Sequence, residues 1–193
     1  MEHVEYHPYK PFIPKDTKKL IVGNFPIGKF SNPDRFHEQK DGELDFYYGG
    51  ATNKFWRLMS VVFSEDLTSV DKIKMFLTKQ KMGLADILLS CRRLRGSALD
   101  TALYDKTYNT DLAKLIEKHQ IEELYFTSRH VYSQFRKYIG KFPEIKHTIL
   151  ISPSPTAVRG LVKNREYMEL LKKNPDLLIE EFRLMKYKQV FHR

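Results

Sequence analysis

A single cysteine, Cys91, stands in the chain of 193 residues, so neither a disulfide framework nor a cysteine zinc cluster can be built within it. The seven histidines fall at no metal-ligand spacing and include no His-Glu-x-x-His pair, which argues against a bound metal. No apolar run approaches the roughly 18 residues of a membrane-spanning helix. The opening residues Met1-Glu2-His3-Val4-Glu5-Tyr6 also lack the apolar stretch of a secretory signal. There is no Walker lysine–hydroxyl pair and no Gly-x-Gly-x-x-Gly, so the common nucleotide phosphate loops are poorly supported. Internal repeats, low-complexity blocks and Gly/Ser linkers are missing as well. The expectation is one domain over residues 1–193 in a soluble intracellular protein without metal or cofactor. A cytoplasmic monomer is expected, nucleoid-associated if bacterial, with no membrane partner.

What is present is a globular mixture. Apolar residues make up 41% of the chain and charged residues 30%, enough to build a core and too apolar for wholesale disorder. Lys and Arg number 33 against 24 acidic residues, a net charge of +9. Such a bias favours polyanionic partners and says nothing of the fold.

Periodicity supplies the elements. The first 18 residues hold three of the nine prolines and no helical period, and are expected to lie over the surface as an arm. Leu20-Ile21-Val22, ended by Gly23, reads as a buried strand. A glycine- and proline-bearing loop then runs from Asn24 to about Thr52, a length usually reserved for function or mobility. Phe55, Trp56, Met59 and Phe63 share one helical face behind Asn53, a possible cap. Ser69 caps a second helix carrying Ile73, Phe76 and Leu77. Leu84 to Leu89 reads as a strand, Asn109 opens a helix with Leu112, Leu115 and Ile116, and Leu124-Tyr125-Phe126 is another strand. Val131, Phe135 and Tyr138 mark a helix, and His147 to Ile151 is a fourth strand broken by Pro153 and Pro155. Two helices complete the chain. Alternating strands and helices predict an α/β fold: a three-layer α/β/α sandwich around a central, mainly parallel four-stranded sheet. Ligands in such folds sit beyond the carboxyl ends of the strands.

Four segments carry chemistry. Gly23-Asn24-Phe25-Pro26-Ile27-Gly28 is either a ligand loop or an ordinary strand-to-loop turn. Phe46-Tyr47-Tyr48-Gly49-Gly50 sets flat aromatic faces on a flexible backbone, suited to stacking a nucleobase, while the Phe55 and Trp56 that follow read better as core. Asn53 is ambiguous between pocket and cap. Ser152-Pro153-Ser154-Pro155-Thr156-Ala157 is a stiff turn able to hold a phosphate through hydroxyls and amides, or a plain surface turn. Cys91-Arg92-Arg93-Leu94-Arg95-Gly96 offers three arginines to phosphates, or to solvent. No cationic or His partner is designated that would make Cys91 a nucleophile.

Taken together, these segments resemble the uracil-DNA glycosylase superfamily, most closely its mismatch-specific and hypoxanthine branches. The resemblance rests on Gly23-Asn24-Phe25-Pro26, on Phe46-Tyr47-Tyr48-Gly49 with Asn53-Lys54-Phe55-Trp56, on Asp86 and Ser90-Cys91-Arg92-Arg93 to Gly96-Ser97-Ala98-Leu99-Asp100, and on Ser152-Pro153-Ser154-Pro155. It covers about residues 19 to 160, and the Tyr-Gly segment with its Asn-x-Phe-Trp end is its most specific part.

The resemblance implies a repair enzyme that flips a damaged or mismatched base (uracil, hypoxanthine or mismatched thymine) out of DNA and hydrolyses its N-glycosidic bond without a metal. The implied partner is double-stranded DNA, with single-stranded DNA as the alternative. Tyr48 would stack on the base, Gly23, Phe25 and Pro26 would line the pocket, and Ser90 and Cys91 would read the base edge. Arg92, Arg93, Ser152, Ser154, Thr156 and Arg159 would meet the DNA, with Thr156 to Arg159 as the intercalating segment. Two departures stand out. Phe25 occupies the place where the superfamily usually holds water with Asp or Asn, and Ser152 replaces a frequent His. The resemblance therefore shifts the water to Asn53, with Asn24 as second choice. A DNA-binding protein of the same fold without catalysis, or a nucleotide hydrolase or transferase, are the alternatives.

Overall fold

The computed structural model describes residues 3–94, 97 and 99–192. Four strands form the central sheet: β2 (Lys19–Gly23), β3 (Met82–Asp86), β6 (Glu123–Phe126) and β7 (Lys146–Ile149), in the order β3-β2-β6-β7. Every pairing is parallel. All four were expected: β2, β3 and β6 from apolar runs, because a sheet covered on both faces buries successive residues, and the partly exposed edge strand β7 from the stretch His147 to Ile151. Leu20, Val22, Leu124 and Phe126 pack with α4 (Asp111–Lys118) and α5 (Arg129–Tyr138). Ile21, Leu84 and Tyr125 point the other way, toward α2 (Phe55–Phe63), α3 (Val70–Lys79) and α8 (Ile179–Phe191). The result is the expected three layers. Fully burying one of these side chains contributes about 1.5–3 kcal/mol.

Caps explain several helix starts. The Ser69 hydroxyl accepts Lys72 N–H, Ser128 accepts Val131 N–H, and Asn164 accepts Tyr167 N–H at the start of α7 (Arg165–Lys173).

Three expectations are corrected. The strand over Leu84 to Leu89 breaks at Ile87. Beyond it, β4 (Leu88–Arg93) leaves the parallel sheet for a second, antiparallel one of order β1-β4-β5, where β1 is Glu5–Tyr6 and β5 is Leu103–Tyr108. The N-terminal segment is not an arm over the surface. Glu5 and Tyr6 pair with Cys91 and Ser90, Phe12 bridges to Leu84, and Glu5 and Thr17 are buried. A two-residue strand is too short to show a period, which is why the segment reads as irregular. Asn109 does not open α4, which starts at Asp111. Asn109 is buried instead, and its Nδ2 donates to the Asp86 carbonyl at 3.5 Å. The long loop from Asn24 also contains local structure: a helical turn α1 (Gly28–Ser31) and a 3-10 turn over Pro33–Glu38. A further short helix, α6 (Val158–Leu161), follows the proline turn.

Candidate functional site

Parallel strands β2 and β3 end side by side, with Gly23 opposite Asp86. A pocket of about 140 Å³ opens beyond these ends, lined by Asn24 to Ile27, Tyr48, Asn53, Asp86 and the turn Ser154 to Thr156 among others. That is roughly ten times the space one water needs. Its aromatic wall is built by sequence neighbours. Trp56 donates its indole N–H to the Tyr47 carbonyl at 2.6 Å, and Phe55 packs on the Tyr48 ring at 4.5 Å. The start of α2 therefore fixes the Tyr-Gly segment above it. Tyr48 takes a left-handed backbone, φ 58°, a conformation rare for a bulky residue and concentrated at functional sites. A Cβ on Gly23 would lie 2.3 Å from Asp86 Oδ1 and 2.5 Å from the Tyr48 hydroxyl. Only glycine leaves room for those two polar atoms to meet over the strand end.

Three buried polar atoms at this pocket have no partner: Asn24 Nδ2, the Tyr48 hydroxyl and Asp86 Oδ1. Native proteins leave few buried groups unpaired, because each costs about 1–3 kcal/mol. Two donors and one carboxylate oxygen thus lie unpaired in the wall and floor of the pocket. The other Asp86 oxygen, Oδ2, is 2.9 Å from His7 Nε2. His7 Nδ1 accepts the Tyr9 N–H at 3.1 Å, so Nε2 carries the proton and donates to Asp86. Burial, and after it the Asp86 charge, pushes the Tyr47 and Tyr48 phenols up. Burial and Asp45, with a smaller push from Asp86, do the same for Tyr9. The phenols stay protonated and can donate.

No protein-family model matches the chain. A hypoxanthine DNA glycosylase of Methanosarcina barkeri is 33% identical over 103 residues, 52% of this chain and 57% of that protein. The match thus spans little more than half the relative's length. The solution NMR structure of a candidate uracil DNA glycosylase from Methanosarcina acetivorans superposes with a TM-score of 0.63 at 20% identity. That superposition covers 98% of this chain and 97% of the other. The fold is uracil-DNA-glycosylase-like. The resemblance read from the sequence is met by both a sequence relative and a structural one.

Within this glycosylase-like frame, Asn24, Phe25, Pro26, Tyr48, Asn53, Ser154 and Thr156 all reach the pocket, from segments far apart in the chain. Gly23 lies at its edge against Asp86 and Tyr48. The N-cap of α2 is Lys54, without a side-chain cap bond, and not Asn53; the Asn53 Oδ1 accepts the Phe55 N–H at 2.9 Å from one place ahead, a short turn that leaves this side chain at the pocket. Lys54 N–H donates to the Pro153 carbonyl at 3.1 Å, which ties the Asn53 segment to the proline turn. In that turn the Ser152 hydroxyl accepts Ser154 N–H, and the Ser154 and Thr156 hydroxyls are 2.8 Å apart. Arg159 is exposed on α6.

The second group departs from expectation. Ser90 and Cys91 do not line the pocket: they lie in β4, paired with β1, and Cys91 is fully buried in the core. Burial pushes its thiol up to about 12, away from the thiolate a nucleophile needs. Arg93 is buried and turned inward rather than to the surface. Its Nε pairs with the buried Glu5 carboxylate at 3.1 Å, and its Nη2 donates to the Pro26 carbonyl at 2.7 Å. Arg92 lies 3.4 Å from Asp105. Arg95, Gly96 and Ala98 fall outside the described residues.

Three residues at or behind the pocket were given no role by the sequence reading, although Asp86 was among the landmarks of the resemblance. Asp86 ends a strand whose other residues are all apolar or glycine, and a charge closing such a run was the available signal. Arg183, 1% exposed, donates to the Ser154 carbonyl at 2.8 Å and holds the proline turn from behind. His7 carried no local signal. Among the described residues, no cluster of His, Cys, Asp and Glu could hold a metal ion, and no helix is long and apolar enough to cross a membrane.

Proposed function

We propose that the protein is a monofunctional DNA glycosylase that hydrolyses the N-glycosidic bond of a flipped base in double-stranded DNA and leaves an abasic site. The observation that carries this reading is the convergence of three unpaired buried polar atoms on an aromatic pocket at the strand ends. Asp86 Oδ1 accepts a ring N–H, and Asn24 Nδ2 and the Tyr48 hydroxyl donate to a neighbouring carbonyl. Uracil, hypoxanthine and thymine all carry that N–H beside C=O, whereas adenine and cytosine present a bare ring nitrogen. A site built to pair such groups rejects analogues that leave its buried atoms unpaired.

Asp86 and Asn53 divide the work by depth. Asp86 is 6% exposed and sits against Gly23 at the floor, where the base would rest. Asn53 stands beside the proline turn, where Ser154 and Thr156 would grip the sugar–phosphate chain. Its Oδ1 accepts one N–H and retains a lone pair. The bond from Phe55 N–H thus aims that oxygen, which holds the attacking water by accepting one of its hydrogens. Water adds its hydroxyl to C1′, the C1′–N bond breaks, and the departing base takes the proton. The two donors carry the negative charge on the leaving base, and the phosphates balance the positive sugar.

A gel assay tests this. Duplexes carrying uracil, hypoxanthine or mismatched thymine are incubated with the protein, and abasic sites are cleaved with alkali. Cleavage of at least one duplex is expected, abolished by Asn53→Ala at saturating enzyme. Binding without cleavage on all three would replace the proposal with a DNA-binding role. Hydrolysis of free nucleotides alone would place the protein in another enzyme class. The pairing of Arg93 with Glu5 already removes much of the phosphate-loop basis for that class.

A further inference from the structure

We propose that His7 is the positioning residue for Asp86, so that the segment following the N-terminal strand forms part of the active site. The inference rests on the glycosylase reading and goes beyond it to a residue that need not touch DNA. The His7 and Asp86 side chains are 5% and 6% exposed. A carboxylate at a strand end can rotate about its last bond. The 2.9 Å contact from His7 Nε2 to Oδ2 stops that rotation and leaves Oδ1, the unpaired oxygen, against Gly23 on the Tyr48 hydroxyl side at the pocket floor.

His7 is itself locked. Its Nδ1 accepts the Tyr9 N–H, which sets the tautomer, and the rings of Tyr47, Phe25 and Tyr9 surround it at 5.4, 5.5 and 5.8 Å. Phe25 stands where a polar residue was expected. Here it serves as a wall of the His7 box, and the polar work has moved to the pair behind it.

The same N-terminal segment holds the other rim of the pocket. Glu5, two residues earlier and on β1, accepts Ser31 Oγ at 2.7 Å and Arg93 Nε, and Arg93 reaches the Pro26 carbonyl. One short segment therefore tethers both the carboxylate and the loop beside it. A histidine retained only for packing would need neither the fixed tautomer nor a partner with one oxygen left open.

Single-turnover excision of the base that the wild type removes best is measured for His7→Ala, His7→Gln and wild type. Affinity for the same duplex carrying an abasic site, and melting temperature, are measured beside it. His7→Ala is expected to slow excision about 10–100-fold, the scale for removing a side chain that orients a functional group, with abasic-DNA affinity unchanged. His7→Gln, whose side-chain amide can still donate to Oδ2, is expected to recover most of the rate. Equal rates for His7→Ala and wild type per folded molecule would overturn the inference alone. So would a loss of rate, affinity and stability together that Gln does not relieve, because that is the mark of a structural role. A wild type that excises no base would overturn the glycosylase reading and this inference with it.

Discussion

Glu5 on β1 and His7 just beyond its end lie two residues apart, and each anchors a buried charged partner, yet the two pairs are finished differently. Around Glu5 and Arg93 both sides are occupied: the carboxylate takes Arg93 Nε and Ser31 Oγ, and Arg93 gives Nη2 to Pro26. Around His7 and Asp86 one buried carboxylate oxygen at the pocket floor is left without a partner. A pair with its bonds filled holds the chain together, whereas one with an atom to spare is shaped for something not yet bound. Burial alone does not tell the two apart; the account of each atom's hydrogen bonds does.

The sharpest break of that contrast is Arg93→Glu. It sets a second carboxylate against the buried Glu5, and breaking a buried pair costs about 3–5 kcal/mol. Urea unfolding should show a loss of that size. If Arg93 were a DNA contact, stability would hold and affinity would fall instead. Asp86→Ala is expected to do the reverse. A hydrogen bond to a charged group is worth about 1.5–3 kcal/mol, so single-turnover excision should fall about ten- to hundredfold, with a smaller loss of stability than in Arg93→Glu, because only the His7 Nε2 donor is left unpaired. Loss of stability without loss of excision would make the two pairs alike.

Tyr48→Phe is the milder version. A neutral hydrogen bond contributes about 0.5–1.5 kcal/mol, so excision should fall about two- to tenfold while the ring packing on Phe55 is kept. Full activity in this variant would show that the hydroxyl, though unpaired and close to Asp86, takes no part in reading the base.

The same distinction explains what could be read from the sequence. The parallel sheet was legible because β2, β3 and β6 are buried on both faces and write themselves as apolar runs. The antiparallel sheet was not. Its β4 alternates and carries register shifts against β5, and β1 contributes two residues whose burial pattern is in-out. Pocket residues on turns, such as Asn24, Tyr48 and Ser154, were legible from their chemistry and their place at strand ends. Misreadings arose where the same residue types were spent inside the protein. Arginines after a strand look alike in sequence whether they face phosphate or Glu5. Which one holds depends on a glutamate 88 positions away, and no local pattern contains it.

The smallest effect belongs to Cys91. Removing its side chain should leave excision unchanged, since it lies in the core beneath β4 and not in the pocket. Its trace is in the pH dependence of stability. In the unfolded chain the thiol ionises near its ordinary value of 9.0, whereas burial raises it to about 12 in the folded protein. The unfolded state therefore loses this proton first as pH rises, and the folded state is progressively disfavoured above about pH 9. The thiol's contribution is fully present below that pH and is lost as pH climbs toward about 12. Cys91→Ala has no proton to lose. Its melting temperature should lie below that of the wild type at about pH 8, because the core loses a sulfur, and the gap should narrow by about pH 11. Buried tyrosines also destabilise the fold at alkaline pH, but they act equally in both proteins and cancel in the difference. A gap that stays constant across this range would mean that the thiol titrates alike in both states, and that β4 opens Cys91 to solvent.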